Sequence, residues 1–178
     1  LQTRQGRKIS NEILFGEVPG EHVTNELGQK YWVKLLDNQN VGLFLDMGHV
    51  RRWLAPKVKN RKVLNLFAYT CVFSVSALVN GARSVVNVDM SKNSIEWGKE
   101  NHKLNDLDLR MTSMLSSNVF RSWRKIKQLG RYGVIIIDPP TNQRGSFNAE
   151  KHYGQILKRL PDFAERGATI VACLNSPF

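Results

Sequence analysis

Lys62-Val63-Leu64-Asn65-Leu66-Phe67-Ala68-Tyr69-Thr70 runs directly into Cys71-Val72-Phe73-Ser74-Val75-Ser76-Ala77-Leu78-Val79-Asn80-Gly81. The first part is an apolar run rich in strand-forming residues. The second repeats Val72, Val75, Ser76 and Val79 at the i, i+3, i+4, i+7 spacing of one helical face. Gly81 falls where a helix C-cap belongs. The stretch therefore predicts a strand, a tight turn and a helix. In an open α/β sheet such a turn lies at the carboxyl end of the strand, where ligands bind. Ser84-Val85-Val86-Asn87-Val88-Asp89 follows. It ends in an acid about 20 residues after the turn, the place of the ribose-binding carboxylate in a nucleotide-binding βαβ unit.

The same alternation continues downstream. Strands are expected at 62–68, 84–89, 109–114, 133–138 and 168–174, and helices at 71–80, 91–104, 119–129 and 148–160. Ser91 suits an N-cap, and Pro161 should end or kink the last helix. Repeated βα units imply an α/β fold with a Rossmann-like, doubly wound, mostly parallel sheet over residues 46–178. Residues 1–45 read differently, as a small antiparallel β appendage. Its strands are expected at 12–17 and 29–36 with a turn at 25–28, and a second turn at 37–40 leads into 41–46. Asp46 is expected to cap a helix over 47–55 that carries Val50, Trp53 and Leu54 on one face.

Composition excludes several classes. Of the 178 residues 42% are hydrophobic and 23% charged, as in ordinary globular domains. The longest apolar runs are strand-sized, so no membrane span is expected. The basic opening Leu1-Gln2-Thr3-Arg4-Gln5-Gly6-Arg7-Lys8 is not a secretory signal. Cys71 and Cys173 read as buried thiols of a cytoplasmic chain. The net charge of +11 points to a polyanionic partner, most simply nucleic acid. Cations gather at Arg4, Arg7 and Lys8; at Arg51, Arg52, Lys57, Lys59, Arg61 and Lys62; and at Arg121, Arg124, Lys125 and Lys127. Trp53, Phe120 and Trp123 lie among them. Rings so placed can stack on bases, or Trp53 and Trp123 can anchor amphipathic helices.

The first turn has Phe67-Ala68-Tyr69-Thr70 in place of G-x-G-x-x-G, and no P-loop is present. A turn without glycine leaves less room for a pyrophosphate and suits a nucleoside without phosphates, such as S-adenosylmethionine. Asp89 can accept two ribose hydroxyls, and Met90 can lie against adenine or in the core. Asn118 is read both as an adenine contact and as the N-cap of 119–129. Val134-Ile135-Ile136-Ile137-Asp138-Pro139-Pro140-Thr141 ends a buried strand in an acid and two prolines. Prolines fix φ and donate no hydrogen bond, so carbonyls and the Asp138 carboxylate are presented rigidly to a base edge or an amine. Asn142-Gln143-Arg144-Gly145-Ser146 reads as a mobile lid. His22, His49, His102 and His152 are not at metal-ligand spacing, so no metal is expected.

These residues resemble a known family, the bacterial class I S-adenosylmethionine-dependent methyltransferases of 23S ribosomal RNA, in the guanine-N7 and cytosine-C5 branch. The matching stretches are Tyr31–Leu35, Gly42–Asp46, Leu64–Thr70, Gly81–Arg83, Val88–Ser91, Glu100–Asn105 and Ile137–Thr141. The resemblance implies a cofactor site in which Phe67, Ala68, Tyr69 and Thr70 face the methionine part. Asp89, with Met90 beside it, meets the ribose, and Asn118 meets the adenine. Asp138 and Pro139 face the target base, Asp138 also bordering the cofactor. Two departures stand out: Asn118 where the family often has Asp, and Cys71 where a glycine usually follows Tyr-Thr. Cytosine-C5 chemistry needs a cysteine nucleophile, and Cys173 sits one position early for it. The family fold has two further strands after the fifth, which this chain lacks, so the fifth is expected to form an edge. The expected function is methyl transfer to a base of RNA, ribosomal RNA above all. The rivals are a same-fold methyltransferase of protein or small molecules and a non-catalytic RNA-binding module.

Overall fold

The computed structural model describes residues 2–5, 8–36, 40–143 and 147–174. Its centre is a five-stranded, wholly parallel sheet built from β5 (Lys62–Leu66), β6 (Ser84–Asp89), β7 (Thr112–Ser116), β8 (Tyr132–Ile137) and β11 (Ala164–Ala172). The spatial order is β11-β8-β5-β6-β7. The chain order thus reverses between β5 and β8, and ligands bind at such switch points in open sheets. In register, Leu64 sits between Val86 and Ile135.

Both faces of the sheet are covered. Leu64, Leu66, Val86, Val88, Ile135 and Ile137 pack against α4 (Val119–Gln128) and α5 (Ala149–Phe163). The alternate residues Val63, Val85, Val134 and Ile136 pack against α1 (Gly48–Leu54) and α2 (Val72–Val79). Each such aliphatic side chain contributes about 1.5–3 kcal/mol on full burial. Every residue of β8 is buried, because a strand with neighbours on both sides and helices on both faces has no solvent side. α3 (Lys92–Leu104) starts at Ser91, whose hydroxyl accepts from Ser94 N at 3.1 Å.

One polar line crosses the second face. Asn65 Nδ2 donates to Asn87 Oδ1 (2.9 Å), and Asn87 Nδ2 donates to Ser74 Oγ (2.9 Å). Ser74 Oγ lies 2.9 Å from His102 Nε2, and His102 Nδ1 lies 2.6 Å from Gly98 O. A carbonyl only accepts, so Nδ1 carries the proton, Nε2 accepts from Ser74, and His102 is neutral. Burial pushes its pKa below 6.5, with the Gly98 carbonyl opposing.

The appendage differs from the expected one in its first strand. The hairpin pairs β3 (Glu21–Glu26) with β4 (Gln29–Lys34), whereas residues 12–17 are irregular. The turn at Leu27-Gly28 is tight, so only the segment immediately before it can pair with β4. Exposed Leu14 and Phe15 make no strand there. Residues 37–39 of the second expected turn lie outside the described residues. A further short ladder joins β1 (Gln2–Gln5) to β2 (Lys8–Asn11). Tyr31 and Val33 bury against Leu43, Val72 and Val75. The outer edge of β4 is met by α3: Asn101 and Asn105 carboxamide oxygens accept from Trp32 N (2.9 Å) and Lys30 N (2.8 Å). Gly42 has φ +108, and a Cβ there would lie 2.5 Å from Trp97 Cζ2, so Trp97 closes over bare backbone.

Other boundaries shift for local reasons. The third strand starts at Thr112 because Leu109–Met111 forms a 3₁₀ turn, with Asp108 accepting from Arg110 N at 2.9 Å. Pro161 lies inside α5, which ends two residues later at Phe163, and β11 begins at once. Asp46 does not cap α1; it lies in a 3₁₀ turn (Leu45–Met47), and Met47 holds the cap position without a side-chain bond. Trp53 is 51% exposed instead of anchoring α1, since Leu54, with Val50 and Met47 beside it, fills that core contact. Trp123 does anchor its helix, stacked on Phe163 at 5.4 Å. Cys71 is buried, but Cys173 is only half-buried, just past β11. β11 pairs with β8 alone and forms one edge of the sheet. Arg144–Ser146, in the expected lid, lie outside the described residues; Asn142–Gln143 and Phe147–Asn148 pair as a two-residue ladder, β9 with β10.

Candidate active site

The turn after β5 is held in an unusual backbone path. Phe67, Tyr69 and Cys71 have φ of 58, 46 and 59°, the left-handed region normally left to glycine. Each such residue costs on the order of 1–3 kcal/mol and persists only where surroundings dictate it. Here they do. Ala68 N donates to Val88 O (3.0 Å), Tyr69 N to Asp89 Oδ2 (2.9 Å), and Cys71 N to Ala68 O (2.8 Å). Thr70 Oγ1 donates to Gly42 O (2.6 Å), and Asn101 Nδ2 donates to Thr70 O (2.9 Å). Gly98 of α3 admits the Cys71 side chain; a Cβ at 98 would meet Cys71 Sγ at 2.5 Å.

Asp89 closes β6 and is 7% exposed. One oxygen accepts from Tyr69 N and the other from Ser91 N (2.8 Å). Each keeps a further lone pair, enough for the two hydroxyls of a ribose. Burial pushes its pKa up from 3.8, and the two backbone donors pull it back. The charge is thus held in place by the amides that fix the turn.

Phe67, Ala68, Tyr69, Thr70 and Asp89 line a cavity of about 340 Å³, and Asp138 lines its other side. That volume is in the range of small-molecule sites, about 300–1,000 Å³. Pro140, not Pro139, forms the wall beside Asp138; Pro139 is buried. Alternate residues of an extended chain point the same way, so 138 and 140 share a side. Met90 is 41% exposed and Asn118 caps α4, accepting from Phe120 N at 2.8 Å; neither lines the cavity.

The remaining wall came from outside the expected set. Phe44, Asp46 and Met47 line it from the segment before α1, along with Asn65 from β5. Arg51 also lines it. Its guanidinium is bidentate to Glu26 of the hairpin (2.6 and 2.7 Å) and donates to Phe44 O (2.8 Å). This buried pair fixes the appendage to the cavity wall. The Gly42–Asp46 stretch was a sequence signal for this wall, although its acid read as a helix cap.

Cys173 donates a hydrogen bond to Asp138, and its thiol is pushed up to about 11, first by burial and then by the charges of Asp138 and Asp46. It is therefore protonated near neutrality and is a poor nucleophile. Burial pushes the Cys71 thiol up as well. A wider groove of about 610 Å³ lies between β4 and α3, but its acids Glu21 and Glu96 are paired with Lys34 and Lys99, and no strand of the parallel sheet contributes to its lining. Among the described residues there is no cluster of three metal-ligating side chains, and no helix is long and apolar enough to cross a membrane.

The family described as S-adenosylmethionine-dependent methyltransferase matches residues 1–178. The chain belongs to that family. A curated relative, ribosomal RNA large subunit methyltransferase K/L of Psychrobacter sp. (strain PRwf-1), is 35% identical over 156 residues, 84% of this chain and 19% of that protein. The chain thus spans about a fifth of that relative's length. A methyltransferase crystallised in complex with SAH superposes with a TM-score of 0.82 at 30% identity, over 90% of this chain and 43% of that one. A SAM-dependent methyltransferase from Streptococcus mutans gives 0.78 at 30% identity, over 86% and 41%. The parallel sheet with its strand-end cavity is thus the methyltransferase arrangement foreseen from the sequence.

Proposed function

We propose that this chain binds S-adenosylmethionine in the strand-end cavity and transfers its methyl group to a base of RNA, ribosomal RNA in the first instance. The observation that carries the reading is the placement of Asp89 and Asp138 on one cavity around the Phe67–Thr70 turn. Asp89 accepts the ribose hydroxyls. Phe67, Ala68, Tyr69 and Thr70 enclose the methionine part, and the adenine extends past the cavity wall toward Met90 and Asn118. Asp138 positions the target base, with Pro140 on the wall and the buried Pro139 fixing the backbone between them. Bound S-adenosylmethionine supplies a sulfonium methyl that is already strongly electrophilic. The residues contribute alignment, a proximity effect. A ring nitrogen such as guanine N7 needs no deprotonation, and the protonated Cys173 thiol argues against attack at cytosine C6.

RNA as the substrate class is supported by the curated relative's name and by the net charge of +11. A cytoplasmic site of reaction is proposed together with that substrate. The division into an appendage over 1–45 and a cofactor domain over 46–178 belongs to the same proposal.

Two measurements test it. S-adenosylhomocysteine should raise the melting temperature, by the equivalent of about 2.7 kcal/mol at a hundredfold excess over Kd. Label from methyl-labelled S-adenosylmethionine should appear in a base of deproteinised ribosomal RNA. Stabilisation by the ligand with label only in protein would leave the cofactor site and remove the RNA substrate.

A further inference from the structure

Three basic clusters stood out in the sequence, and the fold treats them differently. The side chains of Arg4, Arg7 and Lys8 lie outside the described residues. In the second cluster most cations are engaged within the protein. Arg51 is buried against Glu26, Arg61 pairs with Glu165 at 3.2 Å, and Lys62 donates to Leu129 O. Lys57 lies 4.1 Å from the Trp53 ring centre.

The third cluster is different. α4 buries Val119, Ser122 and Ile126 and turns Arg121, Arg124, Lys125 and Lys127 to solvent. Arg121, Arg124, Lys125 and Gln128 follow the i, i+3, i+4, i+7 spacing of a single stripe. None of the four cations makes an ion pair among the described residues. No acid occurs in the sequence between Asp108 and Asp138. The neighbouring α5 adds exposed Lys151 and Lys158 against one exposed acid, Glu150, while its Asp162 is paired with Arg159. On the opposite side of the sheet the lysines of β4 and α3 are engaged instead, Lys34 with Glu21, Lys99 with Glu96 and Lys103 with Glu100. The α4 cations therefore stand out as a run without acidic partners among the described residues. α4 also begins at the rim that holds the cavity, directly after β7 and Asn118.

We infer that the exposed face of α4, continued by Lys151 and Lys158 of α5, is where the phosphate backbone of the substrate RNA docks. The inference rests on the RNA reading above and assigns it to one face. Unpaired cations on a rigid helix release counterions when they meet phosphates, which makes binding steeply salt-dependent.

The test uses the whole chain and a fluorescently labelled single-stranded RNA oligonucleotide, with anisotropy read across a potassium chloride series. The variant replaces Arg121, Arg124, Lys125 and Lys127 with Gln. Removing one phosphate-binding cation should flatten the log–log salt slope by about 0.7, so the four together remove roughly 2 to 3. Affinity for S-adenosylhomocysteine, measured by calorimetry, should stay at its original value and shows that the variant is folded. A second variant, with Arg52, Lys57 and Lys59 replaced by Gln, should change the slope by less than about 0.7, the share of a single phosphate. If the α4 variant keeps the slope, or the second variant flattens it more than the α4 variant does, the assignment to α4 is overturned. If the unaltered chain binds no RNA, the substrate reading falls with it. If the α4 changes abolish binding to anionic lipid vesicles while RNA binding persists, the face serves a membrane and not RNA.

Discussion

The two acids that close strands β6 and β8 sit on one cavity but in very different settings. Asp89 is buried, and each of its oxygens accepts a backbone amide from a turn with three left-handed residues or from the segment that follows β6. Around it, Thr70, Asn101, Gly42 and Gly98 fix the backbone. Asp138 is half-buried and leads through two prolines into a two-residue ladder around Arg144–Ser146. The first side is over-determined, as suits a ligand that is identical in every turnover. The second borders an exposed proline, Pro140, as suits a large substrate that must enter and leave. Backbone strain is stored where the cofactor is proposed to sit, and the more exposed acid faces where the target would arrive.

The contrast can be broken most directly at Asp89. In Asp89→Ala two hydrogen bonds to a charged group are lost, each worth about 1.5–3 kcal/mol. Affinity for S-adenosylhomocysteine should fall at least about a hundredfold by calorimetry; an unchanged Kd would remove the assigned role. Asp138→Ala should do the reverse. Cofactor affinity should stay within about threefold while methyl transfer drops by about a hundredfold, the scale expected when alignment is lost. Equal loss of both would move Asp138 into the cofactor's grip.

A smaller effect tests the packing behind the turn. Gly98→Ala places a Cβ 2.5 Å from Cys71 Sγ, and overpacking of that kind costs about 1–3 kcal/mol. The denaturant midpoint should fall, and adding Cys71→Ala should restore most of it. Next comes pH. His102 is neutral in the folded chain with its pKa below 6.5, so the unfolded chain binds a proton first as pH falls. Stability from this site is full above 6.5 and declines below it. The decline should be weaker in His102→Gln, measured by melting temperature from about pH 7 to about pH 5. The smallest effect belongs to the β8 side. Tyr153 Oη is buried without a hydrogen-bond partner among the described residues, so Tyr153→Phe should leave stability within about 0.5 kcal/mol or raise it slightly. A large loss would mean that the Tyr153 hydroxyl stabilises the fold after all.

Much of this was legible in the residues. The Lys62–Gly81 stretch gave strand, turn and helix, and Asp89 fell on the rim because strand-end acids at that spacing have few other places to be. Asn118 was read as a cap as well as an adenine contact, and the cap is there. Asp46 misled, since an acid before a short helix looks like an N-cap, whereas here the Arg51–Glu26 clamp holds the segment and leaves Asp46 on the cavity wall. The first hairpin strand was misplaced because Ile13, Leu14 and Phe15 are apolar, yet no partner strand reaches them among the described residues and they stay exposed.

The sequence by itself determined the order of elements, the parallel sheet and the two strand-end acids, since these follow from periodicity and spacing along the chain. Only the tertiary structure decided which cations are neutralised, which proline faces the cavity and how Asn65, Asn87, Ser74 and His102 join into one line. Those outcomes depend on partners tens of residues away, brought close by packing and invisible to any local pattern.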